Sequence, residues 1–117
     1  MRLMCTALAA AAVALVLTAG ASPMVLPRLV GTVGPGFTIS LKQGLKPVRA
    51  LKAGRYTFVV TDKSSIHNFR LIGPGVNRAI TTVGGTGTKT VTLVLKKGRY
   101  TFHCDVHPTM VGHFAVA

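Results

Sequence analysis

The stretch Tyr100-Thr101-Phe102-His103-Cys104-Asp105-Val106-His107-Pro108-Thr109-Met110-Val111-Gly112 decides how this chain is read. Its first five residues alternate bulky and polar positions, the period of a half-buried strand. Tyr100, Phe102 and Cys104 fall on one face, and that face carries the bulk. Cys104 therefore points into the core and His103 points out. His113, which alternates with Phe114, also faces out. Past Cys104 the alternation stops at His107-Pro108, a loop signal. Cys104, His107 and Met110 stand at Cys-x₂-His-x₂-Met, so one short loop carries three kinds of metal donor.

The same alternation runs upstream. Tyr56, Phe58 and Val60 alternate with Thr57, Val59 and Thr61, and Val91, Leu93 and Leu95 with Thr90, Thr92 and Val94. Phe37, Ile39 and Leu41 alternate with Thr38, Ser40 and Lys42. Glycine and proline punctuate these runs at Gly34-Pro35-Gly36, Gly73-Pro74-Gly75 and Gly84-Gly85. No long stretch keeps a 3.6-residue period. Six to eight short strands in one domain point to an all-β sandwich or small barrel. Leu51-Lys52-Ala53-Gly54-Arg55-Tyr56-Thr57-Phe58 is echoed by Leu95-Lys96-Lys97-Gly98-Arg99-Tyr100-Thr101-Phe102. Two copies do not make a solenoid. They read as two similar edges of a sandwich.

A second imidazole comes from Ser64-Ser65-Ile66-His67-Asn68-Phe69, where His67 is expected on a strand face with Phe69 and Leu71. Two imidazoles, a thiolate and a thioether are the ligand set of one type 1 copper ion. His67, Cys104 and His107 would form its trigonal plane, with Met110 as the weak axial ligand. Soft sulfur holds Cu(I), and imidazole suits both oxidation states. Four ligands leave no open position for substrate, so no enzyme is expected.

These residues resemble the cupredoxins, the small blue copper electron carriers of the plastocyanin and amicyanin kind. The likeness covers most of 29–117, and its specific part is 67–69 and 100–114. It implies an antiparallel Greek-key β-sandwich that carries single electrons between redox partners. It also implies that Asn68, beside the upstream ligand, ties the two ligand loops together. The electron port would be an exposed edge of His107 within an apolar rim, with Pro35, Pro74 and Pro108 as rim candidates.

Charge and targeting set the setting. The 117 residues hold 14 Lys and Arg against two acids, Asp62 and Asp105, for a net charge of +12. That excludes a glycosidase-type carboxylate pair and an oxygen-rich Ca²⁺ loop. It points to an acidic redox partner in a transient complex. The cations lack the interleaved aromatics of a nucleic-acid platform, so none is expected there. Gly84-Gly85-Thr86-Gly87-Thr88-Lys89 lacks the Gly-Lys-Ser/Thr step of a phosphate loop. Residues 1–21 read as an export signal: Arg2, an apolar run to Leu17, and the small-x-small site Ala19-Gly20-Ala21. Cleavage would leave one domain, 22–117, outside the cytoplasm (periplasmic, cell-surface or secreted), with Cys104 as its one thiol. Retention as an anchor is the rival reading, and membrane contact is compatible with the sequence but not required. A monomer is expected, since Cys104 faces the core.

Two other functions compete. A copper carrier that delivers metal would favour Met-rich or multi-His loops, whereas residues 22–117 hold only Met24 and Met110 and no His cluster beyond the site. A cationic adhesive sandwich that has lost its metal would not keep all four donors.

Overall fold

The structure is a computed structural model that describes residues 9–17, 20 and 24–117. Most of the expected cleavage site and the start of the export segment lie outside the described residues. Residues 9–17 are exposed and have no regular secondary structure. No helix among the described residues is long and apolar enough to cross a membrane.

Ten strands make up the domain: β1 Arg28–Val33, β2 Ile39–Gln43, β3 Lys46–Pro47, β4 Ala50–Leu51 and β5 Gly54–Asp62, followed by β6 Arg70–Gly73, β7 Val76–Ala79, β8 Gly87–Leu95, β9 Gly98–His103 and β10 Val111–Val116. The excess over six to eight is β3 and β4, two residues each. One sheet runs β3-β2-β1-β5-β8 and the other β4-β10-β9-β6-β7. The inward faces of both meet in one core. Phe58 and Val60 of β5, Leu29 and Val33 of β1, and Leu71 of β6 are fully buried there. Thr57, Val59 and Thr61 on β5 are only half-buried, as the period of two requires.

Six of the eight strand pairings are antiparallel. The β1–β5 and β4–β10 pairs are parallel, so each sheet is mixed rather than purely antiparallel. The cause is connectivity. After β3 the chain crosses to the other sheet through β4 and re-enters beside β1 running the same way. Parallel neighbours need such a crossover.

Phe37 departs from its expected place. It is 65% exposed, and β2 begins only at Ile39. The Gly34-Pro35-Gly36 turn, with positive φ at both glycines, ends the alternation before Phe37 can join the strand.

The echoed sequence has a structural meaning. Gly54 pairs with Leu95, so its two turns lie side by side at one end of the sandwich. In each copy the tyrosine hydroxyl bonds back to the carbonyl four residues earlier, Tyr56 to Lys52 at 2.6 Å and Tyr100 to Lys96 at 2.9 Å. Each turn is thus closed by a tyrosine corner.

Aromatic stacking leads from that end toward the other. Tyr100 stacks on Phe114 and Phe102 on Phe69, with ring centroids 5.2 and 5.4 Å apart. Gly112 leaves room for the Phe102 ring, and a Cβ there would overlap it. Gly112→Ala is therefore expected to destabilise the fold by roughly 1–3 kcal/mol. Equilibrium urea unfolding of the metal-free chain measures this, and an unchanged midpoint would contradict the packing.

Candidate metal centre

His67 lies on the segment between β5 and β6, not on a strand. His67, Asn68 and Phe69 are all buried in succession, which no strand face allows. The segment is pinned instead by hydrogen bonds. The Lys63 N–H donates to the Val33 carbonyl at 2.9 Å. The Ser64 N–H donates to Asp62 Oδ1 at 3.1 Å, and the Phe69 N–H to Thr81 Oγ1 at 2.8 Å. Asp62 is buried with its other carboxylate oxygen unpartnered among the described residues. It lines a small cavity beside the 84–87 glycine loop, which leads into β8 and no helix. A carboxylate there is the wrong charge for a phosphate.

Cys104 follows β9 and is 1% exposed. Its N–H donates to the Met110 carbonyl at 3.0 Å, and the Met110 N–H donates to the His107 carbonyl at 2.9 Å. These bonds close the loop on itself. Met110 is buried on that loop, and His107 is half-buried.

The structure brings three donor atoms together. Nδ1 of His67 and Nδ1 of His107 are 2.9 Å apart. The Cys104 sulfur is 3.8 Å from the first and 3.7 Å from the second. An ion about 2.0 Å from nitrogen and 2.3 Å from sulfur in a trigonal plane would put sulfur about 3.7 Å from each nitrogen. The sulfur distances fit that figure. The nitrogens need to part by roughly half an ångström to reach the same plane. The donors are two nitrogens and a sulfur with no oxygen, a set unsuited to Ca²⁺ or Mg²⁺. His67, Cys104 and His107 thus form a group that can hold a copper ion.

No family model matches the chain, and no curated protein does. Solved structures do. Reduced rusticyanin aligns over 77% of this chain and 78% of its own, with 17% identity and a TM-score of 0.58. Another rusticyanin structure, described as a copper protein, covers 77% and 76% at 15% identity, with a TM-score of 0.57. A Cu(I) form of an amicyanin variant covers 80% and 86% at 16% identity, with a TM-score of 0.51. The fold is that of the cupredoxins. At these identities the likeness concerns the fold alone.

Around the three donors stands a polar clamp. Asn68 Nδ2 donates to Asp105 Oδ2 at 3.0 Å, and the Asp105 N–H donates to Asn68 Oδ1 at 2.7 Å. Arg70 donates to the same carboxylate with two nitrogens, at 2.8 and 3.0 Å, and to Asn77 Oδ1 at 3.0 Å. His103, half-buried, has Nδ1 3.7 Å from Asp105. His113 is exposed and 3.0 Å from the Thr101 hydroxyl. Neither is in the donor group.

Phe37 adds an apolar cover. Its ring meets His67 and His107 edge-on, with centroids 5.3 and 5.0 Å away. The His67 Nε2 is buried with no hydrogen-bond partner among the described residues, so packing holds that side of the ring. Pro108 is exposed beside His107, and Pro35 lies on the turn before Phe37. Pro74 is not a rim residue. The β6–β7 hairpin carries it to the opposite end, where its carbonyl accepts the Tyr100 hydroxyl and its ring abuts Gly98.

Phe37, Asp105 and Arg70 were not singled out from the sequence. Asp105 carried a signal, as one of two acids in a basic chain and the neighbour of Cys104. The Arg70 bonds, then that of Asn68, hold its carboxyl below the ordinary carboxylate range, and burial opposes them. A depressed carboxyl adds stability above its unfolded pKa, about 3.9, and loses it as pH falls through the lower folded value. The contribution is modest because the pair is partly exposed. Asp105→Asn is expected to lower the thermal midpoint of the metal-free chain at neutral pH, with the gap closing below about pH 4. A gap that is constant with pH would contradict this.

Proposed function

We propose that this protein is an exported carrier of single electrons built on one copper ion. The observation that carries the reading is the convergence of two imidazole nitrogens and a cysteine sulfur, from two chain segments, at one end of the sandwich. Met110, buried on the same loop, would add a weak thioether donor, and a His₂CysMet set suits copper. The copper forms of proteins with this fold support the choice of metal.

Bound copper supplies one-electron exchange between Cu(II) and Cu(I). The chain does the rest. Burial of His67 and Cys104 keeps water out. The Asn68–Asp105 clamp and the Cys104–Met110 backbone bond hold the donors in place in both states. Half-buried His107, beside Phe37, is where an electron reaches the surface. Four donors fill the site, so the protein carries electrons and transforms no substrate. A redox partner must approach this end, where Lys63, Arg78 and Lys89 are exposed. An acidic protein fits it, in a fast complex that salt weakens. The apolar run ending at Leu17 and the Ala19-Gly20-Ala21 site support export.

The competing reading is delivery of copper itself. Repeated reduction and reoxidation beside a Cu(I) chelator separates the two. The electron carrier keeps its copper through many cycles and passes one electron per chain. Loss of copper to the chelator at the first reduction would favour delivery. Cys104→Ser is expected to abolish cycling, while Met110→Leu keeps the copper and shifts the potential. Both effects are read by voltammetry.

A further inference from the structure

The cations are not spread evenly over the surface. The echoed turns place Lys52, Arg55, Lys96, Lys97 and Arg99 together, because Gly54 pairs with Leu95. All five side chains are exposed. They lie at the end opposite the metal centre: β9 begins there at Gly98 and reaches the site past His103. The β2–β3 hairpin turns at the same end, since β2 runs away from the Ile39–Val33 pair at the metal end. At its tip Leu45 is 95% exposed between Lys42 and Lys46. Val94, 50% exposed, pairs with Arg55 nearby. β1 starts here too, at Arg28, so Val25, 92% exposed, precedes the fold at this end. Asp62 and Asp105, the only acids of the chain, both lie at the metal end.

One end is therefore wholly cationic and bears large apolar side chains standing clear of the core. An acidic polymer could pair with the cations but would give Leu45 nothing to enter. A bilayer with anionic headgroups satisfies both features, because apolar side chains seat at the headgroup–acyl boundary while lysines and arginines meet the phosphates. We propose that this end docks on an anionic lipid surface, with Leu45 entering the interface and the metal centre turned toward solution. The inference does not depend on the metal that the centre holds.

The test is co-sedimentation of the full chain with vesicles of phosphatidylcholine, with and without about one-third phosphatidylglycerol. The variants are K52Q/K96Q/K97Q, L45S, and a metal-end control, K63Q/R78Q/K89Q. Every variant keeps residues 1–21, so differences report the folded end. A cation near such a surface is worth about fivefold in affinity, so the first variant is expected to bind anionic vesicles well over tenfold more weakly. The control should bind as the parent does. L45S should weaken vesicle binding and leave binding to polyglutamate unchanged. Equal losses in the two charge variants would overturn the proposal, as would binding indifferent to phosphatidylglycerol. Equal effects of L45S on vesicles and polyglutamate would point to an acidic polymer instead and overturn it as well.

Discussion

Two hydrogen bonds between Asn68 and Asp105 hold the segment that carries His67 against the loop that carries Cys104 and His107. The donor constellation depends on that junction. The two segments belong to different connections, and an unrestrained loop would lose conformational entropy each time a metal ordered it. Here the ordering is done by the fold. Asp105 is itself gripped by Arg70, which reaches on to Asn77 of β7. The junction is thus tied into the strands of one sheet. From the other sheet, the turn after β1 brings Phe37 over both imidazoles.

The architecture explains why such a site stands at an end of the sandwich. Strand faces are committed to the core or to solvent by their period of two. Loops at the strand ends are free of that rule, so three consecutive residues, His67 to Phe69, can all be buried. The two ends have diverged in character. One holds the donors, both carboxylates and an aromatic cover. The other is closed by tyrosine corners and crowned with cations. A molecule polarised in this way can meet two surfaces at once, one for attachment and one for exchange.

Much of this was legible in the sequence, for definite reasons. Alternation marked β5, β8 and β9 and set Cys104 inward, because side-chain period in a strand is geometric. The loop spacing placed Cys104 and His107 together, because a short loop leaves little freedom. The mixed sheets were not legible. Whether β1 meets β5 or another strand depends on crossovers that leave no local pattern. Phe37 was misplaced because two residues of alternation looked like strand, while the glycine turn beside it decided otherwise. His67 alternates with Phe69 and Leu71 in the sequence, yet hydrogen bonds from Ser64 and Phe69 hold it on a connection instead. Arg70 and Asp105 lie 35 residues apart, and nothing local announces a pair at that distance.

The central claim is that His67, Cys104, His107 and Met110 hold one copper ion with a thiolate bond. A titration of the purified chain with Cu(II), followed by visible absorption and electron paramagnetic resonance, tests it most directly. The account predicts an intense blue thiolate-to-copper band with narrow copper hyperfine splitting, saturating at one ion per chain. A pale solution with the wide splitting of tetragonal copper, or no uptake at all, would contradict it.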